Sequence, residues 1–406
     1  MRRVLGLVLA VWVGLWILAL SLGPVRAQGQ QPIKVGALFI LSGNFAGYGK
    51  SGSQGAQLAA EEINARGGVL GRPIQLVVVD DQGNPEVGVR EARRLILQEK
   101  VDFLFGIDSS SVALAVAPLT DEYKIPLVVT HAATPTLTEQ CRPYVFRTSN
   151  NARMDAWAAA ALAATLPVKR WANIGPDYEF GRVSWQDFIT RLKQLRPDVE
   201  VVSEQWPRFG STDYASFITA LMRARPEGVF STLWAGDMVI FARQAKQFGF
   251  FNQVKYFVNP VGAALEVLAP LGKETPEGLL VSARYWFLYP NTERNRAFVE
   301  AYRKRFGEYP SYNAEEAYAG LHMLARAVEK AKSTQAEAVR RAFEADGGLV
   351  YDAPEGRKRM RPEDHQVFEG LVWGYTKHTP DYPFAILDRL RIIPANDTAY
   401  PTQCKR

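Results

Sequence analysis

The sequence predicts an α/β chain built as two parallel-sheet lobes in series. Two observations carry this. Short apolar runs of strand length alternate with helix-length amphipathic segments along most of the chain. The runs are apolar nearly throughout, as in strands covered on both faces by helices. The alternation begins afresh after about residue 150, repeating the architecture but not the sequence.

In the first series, IKVGALFIL and PIQLVVVDD read as strands. Between them SQGAQLAAEEINARGG puts Ala56, Ala59, Ala60 and Ile63 on one helical face and stops at Gly67-Gly68. GVREARRLILQEK is a second helix, VDFLFGI a third strand, SVALAVAPLTDEY a third helix and PLVVT a fourth strand. In the second series, ARMDAWAAAALAATL, SWQDFITRLKQL, YASFITALMRARP and DMVIFARQAKQFG read as helices. RWANIGP, VEVVSEQW, GVFSTLW and KYFVNP are the strands between and after them. Two more helices follow, TERNRAFVEAYRKRFG and AEEAYAGLHMLARAVEKA, and HQVFEGLVWGYTK reads as one antiparallel strand.

The chain has 406 residues, 47% hydrophobic and 22% charged, which is enough for two ordinary domains. At the start, MRR, a long apolar run and GPVRAQGQQ have the layout of a secretory leader, with cleavage expected after Ala27. Three charges of the net +6, Arg2, Arg3 and Arg26, fall inside it. The remainder is weakly basic and has no basic run interleaved with aromatics, so nucleic acid is not an expected partner. The four histidines have no metal-ligand spacing, and neither metal nor cofactor is expected. The two cysteines, Cys141 and Cys404, are expected to pair in an exported chain.

Two catalytic or nucleotide motifs fail on spacing. FAGYGKSG ends like a phosphate-binding loop at Gly49-Lys50-Ser51, but Gly43 lies one residue too early for G-x-x-x-x-G-K-[ST]. FGIDSSSVALAVAPL puts Ser109, Ser110 and Ser111 between a strand and a helix, without the flanking glycines of a nucleophile elbow. No enzyme activity is therefore expected. The helix start offers free N–H groups and a favourable dipole end, which suit an anion. THAATPTLTE follows the next strand at the same sheet edge, where small Ala132 and Ala133 and the hydroxyl of Thr134 complete a cradle sized for one carboxylate. Tyr48 in the first loop, Tyr178 and Phe180 in PDYEFGR, and Trp234 in LWAGDM are candidate apolar walls. Asp237 is a candidate polar contact or a helix cap.

These segments, with FRTSNN and the terminal PTQC, resemble in order and spacing the periplasmic solute-binding proteins of the leucine/isoleucine/valine type that serve ABC importers. The resemblance runs from about Ile33 to the end. It implies two doubly wound lobes joined by three hinge crossovers, closing over a ligand. The implied division is a leader at 1–27, a first lobe from 32–152 with 285–342, and a second from 153–284 with 343–406. It implies that the ligand carboxylate meets Ser109 and Ser110, Ala132 and Thr134. Tyr48 would cover it from the same lobe, and Tyr178, Phe180, Trp234 and Asp237 would face it from the other. Amino-acid binders of this type carry a carboxylate after the strand matching KYFVNP, to hold the ligand ammonium. Val261 stands there in this chain, with Asp237 as a possible substitute. The implied ligand is a hydrophobic or branched-chain amino acid, with an aromatic acid, amide or urea-like solute lacking the amino group as the alternative. Against the leucine-binding prototype, Cys141 and Cys404 resemble a different subgroup's clasp. The implied partner is a membrane permease and the implied form an extracytoplasmic monomer; a ligand-sensing receptor of the same fold is the other reading.

Overall fold

The structure is a computed structural model describing residues 31–405, so the leader expected at 1–27 lies outside the described residues. Strands β1 (Ile33–Phe39), β2 (Ile74–Asp80), β3 (Phe103–Gly106), β4 (Leu127–Val129) and β5 (Val145–Arg147) pair in parallel in the order β5-β4-β3-β1-β2. The connecting helices are α1 (Ala46–Ala65), α2 (Pro85–Arg94) and α3 (Ser110–Tyr123). The second sheet starts with β6 (Arg170–Ile174), β7 (Glu200–Gln205), β8 (Gly228–Ser231), β9 (Tyr256–Asn259) and β10 (Leu280–Ala283), in the order β10-β9-β8-β6-β7. Its helices are α4 (Ala152–Ala163), α5 (Glu179–Leu195), α6 (Ala215–Ala224), α7 (Ala235–Gln247) and α8 (Leu265–Leu271). Each sheet reverses strand order beside its first strand, and in such sheets ligands bind at the strand carboxyl ends near that reversal.

The chain then returns to the first lobe. Helices α9 (Glu293–Phe306) and α10 (Tyr312–Ala331) pack there, α10 lying along α1. Close backbone approach, by α10 at Gly55 and by the chain after β1 at Gly49, explains two glycines of α1. A Cβ at Gly55 would stand 1.9 Å from the Ala314 carbonyl oxygen, and one at Gly49 would stand 2.0 Å from that of Ile40. Gly49 thus serves packing, and the stretch that imitates a phosphate loop is not a loop but the first turns of α1. Its neighbours are equally occupied: Lys50 pairs with Glu308 at 2.6 Å, and Ser51 meets the Ser311 hydroxyl at 2.6 Å.

Helix α11 (Ala336–Glu344) leads to β11 (Val350–Ala353), β12 (Gly356–Arg361) and β13 (Gln366–Phe368), which extend the first sheet beyond β5. This corrects the sequence-based division, which placed 343–406 wholly in the second lobe. Gln366 pairs with Arg147 of β5, holding 350–368 to the first sheet. The stretch read as one strand, HQVFEGLVWGYTK, is two. After Glu369-Gly370 the chain crosses over; β14 (Leu371–Lys377) adds antiparallel to β10, and β15 (Ile386–Ile393) antiparallel to β14 at the sheet edge.

Three crossovers result, at 148–151, 284–292 and 369–370, and buried polar bonds gather them. Asn150 and Glu369 exchange bonds, backbone N–H to side-chain oxygen, at 3.0 Å in each direction. Arg284 of the second crossover donates to Asp155 at 2.9 Å, just past the first. Glu369 also pairs with the buried Lys358. Cys141 and Cys404 form the expected disulfide, tying the tail beyond the short α12 (Ala395–Thr398) to the first lobe. No helix among the described residues is long and apolar enough to cross a membrane.

Candidate functional site

The carboxyl ends of both sheets face each other, and the lobes meet there. A cavity of about 260 Å³ lies between them. The first lobe contributes Asp108 and Ser110 after β3, His131 and Ala133 after β4, and Tyr312 at the start of α10. The second contributes Tyr178 and Phe180 around the start of α5, Trp234 after β8 and Val261 after β9. Arg284, in the second crossover, forms the hinge-side wall.

Local sequence explains the serines. Ser109 is the extended residue that caps α3, but its side chain makes no capping bond. The first helical residue, Ser110, instead turns its Oγ to the next loop and accepts the N–H groups of Ala133 at 3.3 Å and Thr134 at 3.1 Å. The polar cradle is therefore offset by one residue from the expected one. The Ala132 N–H is spent on the Ile107 carbonyl at 2.9 Å, and Ala133 lines the cavity in its place. The Thr134 hydroxyl donates across the cleft to Glu179 of the second lobe at 2.8 Å, and Thr136 joins it at 2.9 Å.

Behind this wall runs a buried polar chain. Asp108 accepts the Ile40 N–H at 2.9 Å and an Asn313 amide hydrogen at 3.1 Å. Its other neighbour is His131, whose Nδ1 lies 3.4 Å away and whose Nε2 lies 3.2 Å from the Tyr312 hydroxyl. Tyr312 in turn meets the Tyr48 hydroxyl at 2.9 Å. Burial lowers the His131 pKa, against the pull of Asp108, which keeps the imidazole neutral at neutral pH. Burial also opposes the charge on Arg284, but Asp155 and Glu316 more than offset it and raise the guanidinium pKa. Arg284 further donates to the His131 carbonyl at 3.2 Å, so a permanent cation is locked beside the cavity.

Aromatic rings close the cleft. Phe45 of the first lobe stacks on Phe209 at 4.2 Å and meets Trp234 at 4.5 Å, both from the second lobe. Tyr48 meets the Trp234 edge at 4.9 Å. Of the residues expected from sequence, Ser110, Tyr178, Phe180 and Trp234 line the cavity, and Tyr48 stands directly behind it. Ser109, Ala132, Thr134 and Asp237 are not on its wall. Asp237 accepts the Gly210 N–H at 3.1 Å inside the second lobe, where burial pushes its carboxyl up to about 7. Sequence reasoning missed Asp108, His131, Arg284 and Tyr312 as wall residues. Asp108 and His131 lie in the very loops it chose, one residue from Ser109 and Ala132. Arg284 and Tyr312 arrive from distant segments and carry no local signal beyond a polar residue at a strand end and an aromatic at a helix start.

Comparison with known proteins gives a consistent set of likenesses. The family described as periplasmic binding protein matches residues 32–374. A Leu/Ile/Val-binding protein homolog of Brucella melitensis is 29% identical over 401 residues, spanning 92% of this chain and 96% of that protein. A solute-binding protein of an ABC transporter from Rhodopseudomonas palustris, solved with 3,4-dihydroxybenzoic acid, is 25% identical with a TM-score of 0.79, covering 90% of this chain and 98% of that one. A leucine-binding protein of Thermotoga maritima shares the fold at 24% identity and a TM-score of 0.78, covering 90% of this chain and 99% of that one.

Proposed function

The chain belongs to the periplasmic binding protein family as a solute-binding protein of an ABC transporter, and from that premise we propose that it closes over a small carboxylate with a hydrophobic body. The observation that carries the ligand class is the make-up of the cavity. Four aromatic side chains, Tyr178, Phe180, Trp234 and Tyr312, surround a space beside the buried Arg284 and the Ser110 hydroxyl. Such walls take an apolar body, and the hydroxyl and guanidinium suit its carboxylate. The protein performs no covalent chemistry. It leaves the cytoplasm through a leader cleaved after Ala27, works as a monomer, and delivers its ligand in the closed form to a membrane permease.

Two bodies fit, each with its own support. A branched-chain amino acid is supported by the Brucella relative and by Asp108, the acidic side chain on the wall. An aromatic acid without an amino group is supported by Val261, which puts an apolar side chain where an ammonium would need a carboxylate, and by the prior bonds of Asp108 to Ile40 and Asn313. The geometry favours the second. A thermal-shift panel of leucine, valine, benzoate and hydroxybenzoates tests the reading. A carboxylate ligand raises Tm through its preferential binding to the folded form. A panel in which no carboxylate moves Tm at millimolar concentration would overturn it.

A further inference from the structure

A second cleft between the lobes, open to solvent, shares no lining residue with the central cavity. Leu265 and Ala269 of α8 and Phe384 wall it from the second lobe, and Tyr302 and Tyr309 from the first. Most of this lining is apolar, and the charged pair on its rim, Lys50 with Glu308, is mutually neutralised at 2.6 Å. The remaining charge-bearing wall residue is Glu266 in the first turn of α8.

Glu266 makes one hydrogen bond across the lobe boundary, and the nearby Ser51 hydroxyl also favours its charged form. Its Oε1 accepts the Ser311 hydroxyl across the lobe boundary at 2.6 Å. Its Oε2 is shielded from water and has no partner. A buried carboxylate oxygen without a donor is costly, which marks a missing hydrogen-bonding group. The terminal torsion of a glutamate is soft, so the carboxylate can turn its free oxygen toward a donor in the cavity it lines. Burial pushes the carboxyl up to about 7.

We propose that this cavity is a second ligand site, for a small hydrophobic amine whose ammonium pairs with Glu266 and whose body packs on Leu265, Ala269 and Phe384, beside the rings of Tyr302 and Tyr309. The walls come from both lobes, so the amine binds the closed form. Its coupling to the central ligand is therefore mutual: each tightens the other by the same factor. The site goes beyond the proposed function and needs only lobe closure, whatever the central ligand.

The test uses isopentylamine as probe, with isopentanol as its uncharged counterpart, in calorimetry and thermal shift on the full mature chain at pH 8. The amine is expected to bind and raise Tm, and the alcohol to do neither. Glu266→Gln is expected to weaken the amine at least 10-fold, a ratio equal to about 1.4 kcal/mol. Amine affinity is also expected to fall between pH 8 and pH 6, as the carboxyl pushed up to about 7 takes a proton and can no longer pair. Ala269→Trp, at an exposed helix position, fills the cavity and is expected to abolish amine binding while carboxylate responses persist, whether or not Glu266→Gln folds. No amine binding to the wild type, or undiminished binding to either folded variant, overturns the site. Failure of the carboxylate panel alone leaves this readout intact, so the two readings fail separately.

Discussion

Ser110 sets the scale at which the site is most exposed to test. Its hydroxyl accepts two buried N–H groups, from Ala133 and Thr134, at the cavity wall. Ser110→Ala strands both donors, at a cost to stability of about 1–3 kcal/mol for a buried unmet group, and removes the hydroxyl proposed to meet the ligand, so carboxylate affinity should drop roughly 10-fold by calorimetry. Ser109→Ala, at a cap whose side chain makes no bond, should change it far less. Val261→Glu restores the acidic group that amino-acid binders of this type carry. It is predicted to weaken benzoate at least 10-fold, because a carboxylate would then face the ring without a partner. Asp237 belongs to stability instead. Its folded carboxyl is raised to about 7, so its contribution is complete below the unfolded value of about 4 and is lost as pH rises through about 7. Asp237→Asn keeps an acceptor for the Gly210 N–H without the charge. Its Tm relative to wild type should climb between about pH 6 and pH 8, with a gain on the order of 1–2 kcal/mol at the upper end; a constant offset across that range would contradict this. The serine cradle was legible because a polar cluster at a strand end is a local signal. Its register was not. Whether Ser109 or Ser110 faces the ligand depends on where α3 begins, and one residue of helix phase turns a side chain by about 100°.

At the scale of elements, strand and helix alternation was readable because both sheets are buried on two faces, and such strands are apolar nearly throughout. The extension of the first sheet was not. β11 to β13 are short, β11 and β12 are half-exposed and carry charge, as in GRKRMR, and nothing local tells which sheet edge they join. The hinge at Glu369-Gly370 is similarly silent, since an unbroken alternating stretch conceals a change of sheet. Helix α1 carries a signal of another kind. Its glycines look like loop chemistry and are packing: α10 lies so close that a Cβ at Gly55 would stand 1.9 Å from a carbonyl oxygen. Gly55→Ala gains about 1 kcal/mol of helix propensity but forces the helices apart. Overpacking of this kind typically costs about 1–3 kcal/mol, and backbone contact this short puts the net effect on the destabilising side. Urea unfolding should show a lower midpoint for Gly55→Ala, with the slope unchanged.

The whole molecule works through the relation of its lobes. Aromatic contacts from Phe45 and Tyr48 to Trp234, and the bond from Thr134 to Glu179, exist only when the cleft is shut. A ligand touching Ser110 on one side and Trp234 on the other favours that shut form by its differential affinity for it. The two-lobed plan and the ligand cleft were legible from the order of motifs, because strand carboxyl ends at a reversal of strand order are where such folds bind. The chemistry of the far wall was less so, because Arg284 and Tyr312 reach the cavity from segments far along the chain. The most direct test of the central claim is calorimetric titration with matched ligands: leucine, its deaminated analogue isocaproate, and leucinamide. The cleft should bind isocaproate one to one and at least as tightly as leucine, because Val261 offers the ammonium nothing. Leucinamide, which lacks the carboxylate, should fail to displace isocaproate from the cleft. Leucine binding 10-fold tighter than isocaproate, or leucinamide displacing isocaproate as well as leucine does, would contradict the account.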